Sequence, residues 1–559
     1  MTTVGAYLAT RLAQIGVRRH FVVPGDYNLV LLDKLEGHPD LSEINCTNEL
    51  NCAMAAEGYA RAVGISACVV TFSVGAFSAF NGVGSAYGEG LPLILIVGSP
   101  NTNDVCSKHL LHHSIGTRDF NYELEMAKHI TCAAVHIQRA SEAPRLIDEA
   151  IHESIKTRKP CYIEVPTNLA NQPCALPGPP SAILSVCSSD AKALQESSAK
   201  AAEFINSFKK VTILVGSDVR SGNAEKEVIK LAESMGCGVA VTADAKSFFP
   251  EDHPQFVGIY WGEVGSRCSK AIIDWSDAVI CIGTVFTDYS TVGWSGLPAA
   301  KLLTIELRRV EFPQHDYLHV NMADFLASLA TQVDKKPATL VEYHRLKPDE
   351  PLIPESKPEE KLTRKELQRQ VHALVTPNTT LFVDTGDSWF NGVHMTLPRG
   401  ARFEIEMQWG HIGWSVPACL GYSAGVPERQ IICMVGDGSF QVTAQELANA
   451  VRMNLPIIFI LINNNGYTIE VEIHDGLYNN IQGWDYSAII ECFNNETGHG
   501  KGWKARTAGE LAAAIKAAKQ HKNGPSLIEC VINRDDCSKE LITWGHLVAK
   551  ANAKPPADH

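Results

Sequence analysis

A chain of 559 residues exceeds what a single hydrophobic core serves, so several compact units in series are expected. With 45% hydrophobic and 20% charged residues, the composition is that of a globular protein and excludes a largely disordered one. The formal net charge of −13 argues against nucleic acid or an anionic membrane as the main partner, and any anionic ligand then needs a local device to hold it, such as a metal ion or a helix N-terminus.

The opening segment MTTVGAYLATRLAQIG carries no basic stretch followed by an apolar core, so no secretory signal is expected and a cytoplasmic setting is the default. Residues 1–180 alternate apolar runs (20–23, 67–72, 91–98) with helical patterns over Asn48 to Ala62 and Ser78 to Tyr87. That alternation predicts a parallel sheet covered on both faces, closed off by the Pro-rich stretch Gln172 to Pro180. The weakly charged segment from Cys68 to Tyr87 is interrupted by Gly75, Gly82 and Gly84, and reads as a buried strand and helix rather than a membrane span. Residues 190–345 repeat the theme, with strands expected at 211–217, 238–243, 278–285 and 301–307. Residues 346–361 hold four prolines and many charges and read as a surface linker. Residues 362–559 carry a third set of apolar runs at 380–388, 429–439, 455–465 and 525–533. The expected fold class is α/β, as three consecutive doubly wound parallel-sheet domains. The sixteen cysteines form no C-x-x-C arrangement and read as small buried hydrophobes in a reducing compartment.

The most informative segment is Gly436-Asp437-Gly438-Ser439, followed about twenty-five residues later by Asn463-Asn464. Each element ends an apolar strand, so both are expected at the carboxyl edge of one sheet, where doubly wound folds bind ligands. Asp437 and Asn464 offer hard oxygen ligands, and the turn at Gly466 can present a carbonyl. Together with two phosphate oxygens and a water they suit octahedral Mg2+ at roughly 2.1 Å. Gly438 lets the backbone approach a diphosphate, and the helix that follows adds a favourable dipole.

A GDG followed at this spacing by paired asparagines resembles the signature of the thiamin diphosphate-dependent enzymes. The resemblance implies thiamin diphosphate and Mg2+ as cofactors, with Asp437, Asn464 and Gly466 as metal ligands. It places Thr385, Gly410, His411, Ile412, Gly438, Ser439, Tyr467, Thr468 and Ile469 around the cofactor. Ile412 stands where the family wedges an apolar side chain beneath it. Glu49, in INCTNELNCAMAAEGYAR, matches the glutamate that hydrogen-bonds the aminopyrimidine ring, with Asn48 as the expected helix N-cap.

Further motifs resemble the 2-oxo acid decarboxylases of that family: Asp26 in VVPGDYNLVLL, the pair His112-His113 in HLLHHSIG, and Glu470 in NNNGYTIEVEIHDG. Ser114 stands where a threonine is common, a departure that keeps the hydroxyl. The likeness extends through TGDSWFN, GWDYSAII and VFTDYSTVGWSG. It implies a lyase acting on a small 2-oxo acid, pyruvate first, to release an aldehyde and CO2. Histidine, with a reference pKa of about 6.5, suits the proton transfers, and carboxylates in a closed site can be raised toward that range. Glu470 is expected to contact the substrate carboxylate and protonate the intermediate, Asp26 and His113 to relay later protons, and His112 to orient the cluster. Trp389, Ile469, Ile473 and Trp544 are expected to line the substrate cavity, and bulky walls favour a methyl ketone. An indole- or phenylpyruvate decarboxylase and an acetolactate synthase-type carboligase are the competing readings. The resemblance also implies a homotetramer, a dimer of dimers, with each site shared between two chains. A nicotinamide-dinucleotide protein is excluded, since no G-x-G-x-x-G follows a strand.

Overall fold

The computed structural model describes residues 1–185, 188–266, 268–347 and 353–555. The N-terminal sheet has six parallel strands in the order Ser42–Asn45, Arg19–Val22, Ser66–Thr71, Leu93–Ser99, Cys161–Pro166, Ala133–His136. Every residue of Ser66–Thr71 and Leu93–Ser99 is buried, as expected of aliphatic runs with helices on both faces. The strand order reverses beside Arg19–Val22, so the chain leaves neighbouring strands in opposite directions there and opens a crevice at their carboxyl ends.

The C-terminal sheet repeats this plan in the order Arg402–Ile405, Thr379–Val383, Gln430–Gly436, Ile458–Asn463, Ser526–Val531, Lys501–Ala505, again all parallel. The central sheet differs from the all-parallel expectation. Its five strands Phe256–Tyr260, Gly238–Thr242, Val211–Val215, Ala278–Ile282 and Lys301–Ile305 are parallel, but Arg309–Phe312 and His315–Leu318 extend it by an antiparallel hairpin. Connections of three residues (306–308) and two (313–314) can only reverse the chain, which is why this edge is antiparallel.

Part of the expected linker, 348–352, lies outside the described residues. The stretch after it lies on the C-terminal unit: Gly509 N donates to Pro358 O (2.9 Å) and Leu362 N to Arg506 O (2.8 Å). The described cysteines are all free thiols. Among the described residues no helix is long and apolar enough to cross a membrane.

The first and third units are joined within the chain by two helices, Glu49–Val63 and Ser415–Gly425, that meet backbone to backbone. A Cβ on Gly58 would sit 1.9 Å from Ala418 O, and one on Gly421 would sit 1.8 Å from Ala55 O. Only glycine permits such contact. Beside this seam, buried Arg61 reaches Glu57 (2.8 Å), Glu89 (3.0 Å) and Glu404 (3.3 Å), and Arg220 of the central unit also binds Glu404 (2.5 Å). All three units therefore share one ionic cluster.

Candidate active site

A cavity of about 190 Å³ opens at the carboxyl edge of the C-terminal sheet, where the order reverses between Thr379–Val383 and Gln430–Gly436. Its lining comes from the segments that follow three adjacent strands: Thr385 to Ser388, Gly436 to Ser439, and Ile462 to Glu470, with Ile412 from a fourth. Of the residues expected around a cofactor, Thr385, Ile412, Asp437, Gly438, Ser439, Asn464, Gly466, Tyr467, Thr468 and Ile469 all line it. Gly410 and His411 lie just behind, in the loop that carries Ile412. The helix expected after Gly438 is broken into Asp437–Thr443, a 3-10 turn Ala444–Glu446, and Leu447–Arg452. Gly438 has a second reason to be glycine: a Cβ there would meet the Tyr467 ring at 2.4 Å.

Asp437 is 1% exposed. Its carboxylate accepts from Gly438 N (2.9 Å) and Asn465 N (2.7 Å), yet burial pushes its pKa up to about 6. A positive charge close by would offset that penalty, and the neighbouring oxygens indicate where it belongs. With the Asn464 amide nitrogen donating to Thr468 Oγ1 (2.5 Å), its oxygen stands 3.3 Å from Asp437 Oδ1 and 3.1 Å from Gly466 O. The opposite amide orientation would turn the nitrogen toward both oxygens, which suits the polypeptide alone. Three converging oxygens suit a dication instead, because Mg2+ at about 2.1 Å separates adjacent ligands by about 3 Å. The residues present fit the ion. Thr385 Oγ1, buried in the same wall without a hydrogen-bond partner, fits an incoming phosphate oxygen.

The loop that places Ile412 is held by residues that motif reading did not single out. Asp384, 1% exposed, accepts from Gly413 N and Ser415 N, both at 3.0 Å, while Thr443 Oγ1 donates to Gly413 O (2.6 Å). Burial holds the Asp384 carboxyl above its ordinary range. His411 N donates to Glu406 Oε2 (2.6 Å), tying the loop to the buried carboxylates beside Arg61. Asp384 had one signal in the sequence, as the acid that ends an apolar strand. Its partners thirty residues away had none.

On the substrate side, Ile469 and Glu470 line the cavity. Trp389, Ile473 and Trp544 do not, and both indoles are fully buried. They form an aromatic cluster around Tyr289 of the central unit, whose ring lies 4.9 Å from Trp544 and 6.2 Å from Trp389. The Tyr289 carbonyl accepts from Trp544 Nε1 (3.2 Å) and Trp261 Nε1 (2.9 Å). Burial raises the Tyr289 hydroxyl pKa, and the Glu470 charge raises it further, so the central unit reaches the Glu470 side of the site. The C-terminal helix Lys539–Asn552, which carries Trp544, is capped by Ser538, and Ser538 Oγ donates to partly buried Asp387 (2.8 Å).

The remaining candidates stand on the N-terminal sheet. Glu49 opens its helix behind the Asn48 cap, which accepts from Asn51 N (2.8 Å), and its Oε1 lies 3.1 Å from where a Cβ on Gly75 would be. Thr47, two residues before, is anchored to Glu446 of the C-terminal unit (2.6 Å). Asp26 meets both histidines, His112 Nε2 at 2.7 Å and His113 Nε2 at 3.4 Å. These four residues follow strands of one crevice, but none of them lines the cavity beside Asp437 in the same chain.

Three units on mostly parallel sheets, with a dication and phosphate pocket at a strand-order reversal, define an α/β enzyme that holds a diphosphate cofactor through a metal ion. Models of the thiamine pyrophosphate enzymes match all three units: the N-terminal TPP binding domain over residues 2–120, the central domain over 198–332, and the C-terminal TPP binding domain over 384–530. Over 554 residues the chain is 61% identical to the pyruvate decarboxylase of Neurospora crassa, covering 99% of this chain and 97% of that one. A probable pyruvate decarboxylase of Schizosaccharomyces pombe is 58% identical, covering 100% and 97%, and pyruvate decarboxylase 2 of Arabidopsis thaliana is 42% identical, covering 99% and 92%. The chain belongs to the pyruvate decarboxylase family of thiamine pyrophosphate enzymes, whose cofactors are thiamin diphosphate and Mg2+.

Proposed function

We propose that the protein catalyses the non-oxidative decarboxylation of pyruvate to acetaldehyde and CO2. The observation that carries this reading is Glu470 in the wall of the cavity that gathers Asp437, Asn464 and Gly466, in a chain matching relatives called pyruvate decarboxylase along its length. Bound thiamin diphosphate supplies an electron sink for the pair left when CO2 departs. Asp437, Asn464 and Gly466 O hold Mg2+, and Thr385, Gly438 and Ser439 receive the diphosphate. Ile412, braced through Asp384, shapes the bound cofactor, with Gly410 and His411 forming the loop at its side. Tyr467, Thr468 and Ile469 close the cavity around it.

Glu49 holds the cofactor's pyrimidine end. Glu470 faces the substrate carboxylate and delivers a proton to carbon once CO2 has left. Asp26 and His113 pass later protons between the carboxylate and Nε2, with His112 fixing the arrangement. Trp389 and Trp544, packed around Tyr289, limit the substrate end from behind rather than at its surface, together with Ile473.

The site is completed by a second chain. Glu49, Asp26, His112 and His113 are absent from the cavity of their own chain, and large apolar side chains are exposed near both halves: Val74, Phe77, Leu110 and Ile115 on one, Leu477 and Tyr478 on the other. A dimer of dimers, with sites shared between chains, accounts for both. Free thiols at all the described cysteines fit a reducing, cytoplasmic setting. The test is a coupled assay of acetaldehyde release from pyruvate, with Mg2+ and thiamin diphosphate omitted in turn. Activity that survives removal of both, or turnover of phenylpyruvate faster than pyruvate, overturns the reading.

A further inference from the structure

We propose that Asp26, His112 and His113 form a second cation site, of opposite chemistry to the one at Asp437, that takes a nitrogen-seeking dication such as Zn2+. One ligand atom from each residue lies within 4.8 Å of the other two. The carboxylate faces both rings, Oδ2 toward His112 Nε2 (2.7 Å) and Oδ1 toward His113 Nε2 (3.4 Å). A tetrahedral ion with bonds of about 2.0–2.1 Å sets its ligand atoms about 3.3 Å apart, so small rotations of these partly exposed side chains suffice to close the set.

Two features build the cluster. Consecutive side chains in extended backbone point to opposite sides, but His113 is left-handed (φ 54°), and the two rings end on one side with centroids 4.6 Å apart. Tyr27 then orients the first ring: it stacks on His112 at 4.9 Å, and its hydroxyl meets His112 Nδ1 at 3.3 Å, leaving Nε2 for Asp26. A polar partner on the far ring nitrogen is what metal-binding histidines ordinarily have.

Donor type separates the two sites. Asp437, Asn464 and Gly466 offer only oxygen, which suits Mg2+, an ion that gives up its waters reluctantly. Two imidazoles and one carboxylate with open positions suit Zn2+, Co2+ or Ni2+. An ion there occupies both Nε2 atoms and the carboxylate, so none of them can carry a proton. This inhibitory consequence rests on the relay role given above, whereas the binding itself does not.

Holoenzyme in excess Mg2+ and thiamin diphosphate, titrated with Co2+, tests the proposal. The expected result is visible absorption from imidazole-bound Co2+ that saturates near one ion per chain and disappears when Zn2+ is added. Asp26→Asn and His113→Gln, nearly isosteric and checked for unchanged melting temperature and cofactor content, should each weaken Co2+ at least tenfold. Tyr27→Phe should weaken it less. No saturable absorption, or equal affinity in wild type and both ligand variants, overturns the site. Zn2+ should inhibit pyruvate turnover over the range in which it displaces Co2+, at constant Mg2+. Binding without inhibition leaves the site standing and overturns the relay role instead.

Discussion

At the carboxyl edge of the C-terminal sheet, Asp437 is 1% exposed and set in a walled cavity, whereas at the matching edge of the N-terminal sheet the Asp26 and His112 side chains are 49% and 59% exposed. Both edges lie at a reversal of strand order in a six-stranded parallel sheet, so architecture alone does not make the difference. The C-terminal edge has a complete scaffold within the chain: Asp384 braces one loop, Asp437 ties down Gly438 and Asn465, and the aromatic cluster around Tyr289 fills the space behind. A diphosphate and its metal need such a rigid, low-dielectric cage. The N-terminal edge presents its acids and bases on a surface, and only the proposed dimer encloses them.

The strongest way to break this comparison is to separate the halves. Glu49→Gln and Asp437→Ala should each be nearly inactive alone, but chains dissociated, mixed equally and reassembled should regain about a quarter of wild-type activity, since half the dimers are hybrid and each hybrid holds one intact site. A mixture as inactive as its parents places both halves in one chain. Next in size, Glu470→Gln should lower turnover about 10²- to 10⁴-fold with thiamin diphosphate affinity nearly unchanged. Equal losses in calorimetric binding and in rate show a structural role.

The seam between the two halves is tested by Gly421→Ala. With Ala55 O in the way, stability should fall by about 3 kcal/mol, read from denaturant unfolding, and Gly58→Ala should do likewise. Little change in either variant means that the helices can part without loss. Within the C-terminal half, Trp389→Ala should improve longer 2-oxo acids relative to pyruvate by about 1–3 kcal/mol in kcat/KM, since a methylene in a pocket is worth no more. An unchanged ratio removes the aromatic cluster from substrate selection.

A pH-dependent effect concerns the N-terminal scaffold. Ser73, just before the Gly75 that touches Glu49, is left-handed (φ 51°), and its N–H donates to buried Glu123 (2.5 Å). Burial, reinforced by Glu164, raises the Glu123 pKa from 4.5 to about 8. The folded state therefore binds this proton more tightly than the unfolded one. The stability it contributes is full below about pH 4.5, declines as pH rises to about 8, and is level beyond. Unfolding free energies measured between pH 5 and 8 should fall by at most about 1.4 kcal/mol per unit on this account, and Glu123→Gln should flatten the slope.

The long apolar strands were legible because aliphatic runs buried on both faces leave a continuous pattern. The edge strands Ala133–His136, His315–Leu318 and Lys501–Ala505 were not, since they are only partly buried and their alternation is mixed with polar residues. The same division holds at the site. Asp437, Asn464 and Glu470 were readable because a strand, a turn and the next strand fix their relation within a short span of chain.

By itself, the sequence determined the inventory: three α/β units, and the candidate residues proposed for a dication site and for proton transfer. Local backbone patterns are enough for that. Only the tertiary structure decided how these are deployed. It made Asp384, Tyr289 and Glu446 supports of the site, withdrew Trp389 and Trp544 behind its wall, and left Asp26 and the histidines open beside Tyr27. Each of those outcomes depends on contacts between residues far apart in the chain, and no local pattern encodes them.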